Sequence, residues 1–168
     1  MQRSEGFAPI ANDLARILVL GSLPGRKSLI EKEYYAHPQN AFWPLMRVLF
    51  GAVGDYEARC ACLTRHQVAV WDVLQASVRP GSMDADIRQD TAIANDFDSF
   101  FEAHPRIRGV AFNGRKAEKL FRDMVTCDRM PKLRTLSLPS TSPAYASMSF
   151  ESKLERWRSG MIWLRQEN

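Results

Sequence analysis

No stretch of this chain approaches the roughly 20 consecutive apolar residues needed to cross a membrane, and its opening residues, MQRSEGFAPI, lack the apolar centre of a secretory signal. A soluble, cytoplasmic protein with no membrane partner is the expectation. Cysteine is scarce, with three in 168 residues. Only Cys60 and Cys62 lie close together, near His66, with no fourth ligand beside them and no paired Cys-x-x-Cys array. Reduced thiols are therefore expected, with no metal site and no cofactor. Blocks of like charge are missing as well. The 23 Lys and Arg outnumber 19 Asp and Glu, giving a net charge of +4, but they are scattered, so any footprint for a polyanion must be assembled by the fold. Without internal repeats or a low-complexity linker, residues 1–168 read as a single domain that acts as a monomer.

What the chain does have is short apolar runs. Ile17 to Leu20, Val68 to Val73, Gly109 to Phe112 and Thr135 to Leu138 are rich in Val, Ile or Leu and run without alternation, the pattern of strands covered on both faces. Helical spacing lies between them: Phe42, Leu45, Met46 and Leu49; Ala92 to Ala103; Ala117, Leu120, Phe121 and Met124; and finally Leu154, Trp157, Met161 and Leu164. Strands alternating with helices predict an α/β protein, a three-layer α/β/α sandwich with a central four-stranded parallel sheet. Ligands then belong beyond the carboxyl ends of the strands. Four segments fall there and read as loops: 21–25, 75–80, 113–116 and 139–143.

The first of these, Gly21-Ser22-Leu23-Pro24-Gly25, is neither a GxGxxG nor a Walker A pattern, so it reads as a tight turn allowing close backbone approach. The stretch Tyr34-Tyr35-Ala36-His37-Pro38-Gln39-Asn40-Ala41-Phe42-Trp43 packs two phenols, an imidazole and two amides ahead of a helix. Asn40 there either caps that helix or reaches into a site, and the aromatics either fill the core or flank a ligand. Asn113 offers a donor and an acceptor to a base edge, or caps the helix that Arg115 and Lys116 begin. Leu138-Pro139-Ser140-Thr141-Ser142-Pro143-Ala144-Tyr145 is a stiff loop whose hydroxyls and N–H groups suit phosphate, unless it is an ordinary turn.

In order and spacing these four motifs resemble the uracil-DNA glycosylase superfamily over residues 17 to about 165, and are most similar to its hypoxanthine-DNA glycosylase (DNA-deoxyinosine glycosylase) branch. The resemblance implies a monofunctional enzyme that removes a deaminated base from DNA, hypoxanthine first and uracil second. With no lysine obvious as a Schiff-base nucleophile, simple hydrolysis leaves an abasic site. Ser22 stands where relatives carry the Asp or Asn that handles the hydrolytic water, so the resemblance gives the catalytic positions to Asn40 and Ser22, with Asn40 central. It gives Tyr35, Asn113, Leu23 and Ser140 to the base. Ser140, Thr141, Ser142, Pro143, Ala144, Tyr145, Arg115 and Lys116 go to the DNA, a duplex holding a damaged base or a single strand. A mismatch-type uracil glycosylase, a catalytically silent binding module of the same fold and a small-molecule nucleotide hydrolase are the rival readings.

Overall fold

In the computed structural model, which describes residues 2–167, seven strands and six α-helices are found among the described residues. Their order is β1 (Arg3–Glu5), β2 (Ile17–Gly21), α1 (Arg26–Glu31), α2 (Phe42–Phe50), α3 (Tyr56–Arg65), β3 (Val68–Asp72), β4 (Leu74–Val78), β5 (Arg88–Ala94), α4 (Phe97–Ala103), β6 (Gly109–Asn113), α5 (Arg115–Met124), β7 (Arg134–Leu138) and α6 (Phe150–Arg165). The four apolar runs become one parallel sheet in the order β3-β2-β6-β7.

Strand alternation sorts the side chains into two layers. Leu18, Leu20, Ala69, Trp71, Val110 and Phe112 face one core with Phe97, Phe101 and Phe121 of α4 and α5. Ile17, Val19, Val68, Val70 and Ala111 face the other, against Phe42, Leu45, Leu63 and Trp157 of α2, α3 and α6. Burial on both faces explains why these strands lack a polar alternation. The edge strand β7 is covered less well, with only Leu138 fully buried.

A second sheet, absent from the sequence expectation, is antiparallel, in the order β1-β4-β5. It changes two assignments. Residues 75–80, expected as a loop, lie mostly in β4, because the chain bends at Val73 and continues as a strand: Val73 N–H donates to Gly21 O at 2.8 Å and Leu74 N–H to Ser22 O at 3.1 Å. The expected helix Ala92 to Ala103 is split. Ala92 to Ala94 finish β5, and the helix starts only at Phe97, after Asp96 accepts the Ser99 N–H at 3.1 Å as its cap. α1 and α3 were not anticipated, although Asp55 accepting from Ala58 N–H at 2.8 Å is a legible start signal for α3.

The parallel registers align the strand ends. Gly21 pairs with Asp72 and Asn113 with Leu138, so Gly21, Asp72 and Asn113 end side by side. The order reverses between β2 and β6, the crevice where sheets of this type bind ligands.

Candidate active site at the carboxyl ends of the parallel strands

A cavity of about 560 Å³ opens over these ends, within the range of small-ligand sites. It gathers most of the residues expected there. Ser22, Leu23, Tyr35, Asn40, Asn113, Ser140, Thr141, Ser142, Pro143 and Ala144 all line it. Tyr145 stands at the surface, 39% exposed, and Arg115 and Lys116 open α5 outside the cavity wall.

The segment 34–43 is held from several sides. Tyr34 donates to Ala8 O at 2.8 Å, Trp43 Nε1 to Tyr34 O at 2.8 Å, and Ala36 N–H to Ser28 Oγ at 3.1 Å. Tyr35 lies at φ 55°, a conformation that a residue bearing a Cβ seldom adopts. Its ring rests on Phe42, centroids 4.2 Å apart, while its hydroxyl is buried at the cavity beside Asn113. Asn40 stands at the junction of α2 and the cavity. Its Oδ1 accepts from Phe42 N–H at 2.9 Å at the start of α2, and its side chain still reaches the cavity.

Asn113 and Thr141 form a clamp. Asn113 Nδ2 donates to Thr141 Oγ1 and Thr141 N–H donates to Asn113 Oδ1, both at 2.9 Å. Thr141 O then accepts from Ala41 N–H at 2.9 Å, tying the serine-proline loop to the Asn40 segment. Thr141, foreseen at the DNA, is thus 1% exposed and turned inward. The rest of the Asn113 amide faces the cavity, next to the Tyr35 hydroxyl. Gly114, at φ 92°, lets the loop approach; a Cβ there would lie 3.0 Å from that of Ser140. Trp157 Nε1 holds Pro139 O at 2.9 Å and Lys153 Nζ holds Tyr145 O at 2.7 Å, so the loop is anchored on α6 at both ends.

The carboxylates were missed in the sequence. Ser22 Oγ donates to Asp84 Oδ1, and Arg79, its side chain buried, lies 4.0 Å from the same oxygen while donating to the carbonyls of Leu23 and Pro24. Asp84 thereby brings a carboxylate to the position Ser22 occupies. Asp72, at the end of β3, lines the cavity floor with its Oδ2 buried and unpaired. Burial first, then the neighbouring Asp84, push its carboxyl up to about 7, against a downward pull from Arg79. A lone acid closing an otherwise apolar strand was the available signal for Asp72. Nothing in the sequence marks Asp84, whose place depends on the turn after β4.

Cys62 donates to Phe50 O at 3.3 Å and sits 3.7 Å from His66, inside the α2–α3 packing and away from the cavity. Among the described residues no cluster of His, Cys, Asp or Glu could hold a metal, and no helix is long and apolar enough to span a membrane.

A tyrosine ring, two amides, the buried acid Asp72 and the partly exposed acid Asp84 thus meet at a strand-order reversal on an α/β/α fold. The family follows from comparison with known proteins: the chain belongs to the uracil DNA glycosylase superfamily, whose model matches residues 8–161. It is 34% identical over 163 residues to a hypoxanthine DNA glycosylase of Methanosarcina acetivorans, covering 92% of this chain and 95% of that one. A hypoxanthine DNA glycosylase of Methanosarcina barkeri is 35% identical over 118 residues, 68% of this chain and 73% of its own length. A solution NMR structure from M. acetivorans, provisionally described as a uracil DNA glycosylase, superposes with a TM-score of 0.78 at 32% identity, covering 98% of this chain and all of that one.

Proposed function

We propose that this protein is a monofunctional DNA glycosylase that hydrolyses the N-glycosidic bond of deaminated bases, hypoxanthine before uracil, and leaves an abasic site for base-excision repair. The observation that carries the reading is the cavity itself, with the Tyr35 ring and the Asn40 amide brought together at the strand-order reversal. The names of the two Methanosarcina relatives favour hypoxanthine.

An extruded base enters this cavity and stacks on Tyr35. Stacking of about 1–3 kcal/mol offsets part of the few kcal/mol that flipping costs, and that cost is lowest for a mispaired, deaminated nucleotide. The remaining hydrogen-bonding capacity of Asn113 reads the base edge, with the Leu23 side chain and Ser140 closing the pocket. Asn40 orients the water. An amide accepts no proton near neutral pH, so its contribution is position, which suffices when the glycosidic bond largely breaks before the water attacks. Ser22 acts through the Asp84 carboxylate it holds.

Ser140 and Ser142 present their hydroxyls to the DNA backbone, Pro143 and Ala144 pack against it, and the exposed Tyr145 fills the gap left by the flipped nucleotide. Thr141 serves the DNA indirectly by holding that loop, while Arg115 and Lys116 meet flanking phosphates. The protein works as a single domain, a monomer, in the cytoplasm.

End-labelled duplexes containing hypoxanthine, uracil or xanthine, treated with protein and then alkali, test this directly. The expected result is alkali-dependent cleavage, greatest for hypoxanthine. Asn40→Ala is expected to lower the single-turnover rate by about 100-fold or more with duplex affinity nearly unchanged, since one positioned group is worth about that much. A folded protein that cleaves none of the three duplexes would be a binding module instead.

A further inference from the structure

The serine-proline loop offers no imidazole or acid to the departing base, so the negative charge that develops on the base as its bond breaks must be met from another wall of the cavity. Asp72 occupies that wall. It ends β3 beside Gly21, is 4% exposed, and its Oδ2 has no hydrogen-bond partner among the described residues. Its backbone is fixed by Asn95 Nδ2, which donates to Asp72 O at 2.8 Å. The missing side chain at Gly21 keeps the carboxyl open: a Cβ there would sit 2.5 Å from Asp72 Oδ1 and 2.8 Å from the Tyr35 hydroxyl. The surface on which the base stacks and the unpaired acid are therefore neighbours.

We propose that Asp72 is a catalytic acid, its carboxyl proton passing to the departing base as the N-glycosidic bond breaks. The inference rests on the glycosylase reading above. When the bond between C1′ and the base nitrogen breaks, the electron pair goes to the base and the proton from Asp72 goes to a ring nitrogen. Water adds through oxygen to C1′ and releases one proton to solvent, from which Asp72 is reprotonated. No further reactant is needed.

The surroundings favour the neutral form of the acid. Tyr35 and Tyr34 face it from the 34–43 segment, and Asp84 and Arg79 from the turn after β4. Neither phenol carries charge near neutral pH, because burial raises both further. Arg79, the cation whose charge acts on Asp72, is committed to Asp84 and the carbonyls of Leu23 and Pro24, while Arg26 and Lys27 line the same cavity from α1, Lys27 paired with Glu31. A carboxylate at Asp72 would be a buried charge without a partner, which proteins avoid by holding the proton. Its titration near 7 suits an acid that must give up a proton under neutral conditions.

The test is single-turnover release of hypoxanthine by wild type and Asp72→Asn across neutral pH, beside binding to a duplex carrying a non-hydrolysable 2′-fluorinated arabino-deoxyinosine. Wild-type rate is expected to fall as pH rises through about 7. In Asp72→Asn the rate should drop by about 100-fold and lose that pH limb, with affinity for the fluorinated duplex within about threefold. A loss below about tenfold, an unaltered pH limb, or an affinity loss as large as the rate loss overturns the proposal. Wild-type protein that releases no base overturns the glycosylase reading and this inference with it, whereas an active wild type with an indifferent Asp72→Asn overturns the inference alone.

Discussion

At the carboxyl end of the parallel sheet, the Asp72 Oδ2 is buried at a cavity with no hydrogen-bond partner among the described residues, and the Tyr35 hydroxyl is buried beside it. At the amino end, Arg16, Arg106, Arg108, Arg129, Lys132, Arg134 and Arg165 surround a groove with Glu167, far more charge in a similar space. There most of the guanidinium groups are spent on the protein. Arg108 donates to Pro105 O at 2.8 Å, Arg129 to Ile107 O at 2.8 Å, Arg134 to Trp163 O at 3.1 Å and Arg165 to His66 O, while Arg16 pairs with Glu167 at 3.7 Å. Density of charge therefore separates the two ends less than the unpaired Asp72 carboxylate oxygen does, because a buried polar atom facing a cavity costs stability that a ligand or a reaction can recover.

The difference is sharpest at Gly21. Gly21→Ala should lower excision by about 100-fold or more, since displacing a reacting group by an ångström costs that much, and should destabilise the fold by about 1–3 kcal/mol. Single-turnover rates and urea unfolding measure the two effects, and an active, stable alanine variant would mean that the crowding of Asp72 and Tyr35 is of no consequence.

Asp72 itself makes a stability prediction. Its folded value near 7 lies above the roughly 3.9 of an unfolded aspartate, so the folded state binds the proton more tightly. The stability from this group is complete below about pH 4 and is lost as pH rises to about 7. Asp72→Asn removes that loss. Its thermal stability relative to wild type should therefore grow between acid and neutral pH, reaching at most about 4 kcal/mol, and equal offsets at both ends of the range would refute an unpaired acid.

The smallest effect belongs to the other end. Arg129→Met, which removes the bond to Ile107 O and the cation over the Phe101 ring, should cost about 1–2 kcal/mol on denaturation and leave excision unchanged. Lost excision in that variant would break the contrast between the two ends.

Much of this was readable in advance, for reasons that differ by element. Continuous apolar runs betrayed the four parallel strands because both faces are buried, and the strand-end rule then pointed to Ser22, Asn113 and Ser140. The antiparallel sheet was hidden. β5 is largely exposed and β4 follows β3 after a single bend, so neither shows the uninterrupted apolar run of a buried strand. Thr141 looked like a DNA contact in a hydroxyl-rich loop, and only its pairing with Asn113 turned it inward.

By itself, then, the sequence determined the layered fold, the family and the Asn40 and Tyr35 segment, because periodicity and short motifs are local properties of a chain. The tertiary structure alone decided which groups meet: that a serine in the first loop borrows a carboxylate from Asp84, 62 residues away, and that Asp72 lies bare beneath a glycine. Burial and partnership are relations between distant residues, and those relations are what move a proton affinity.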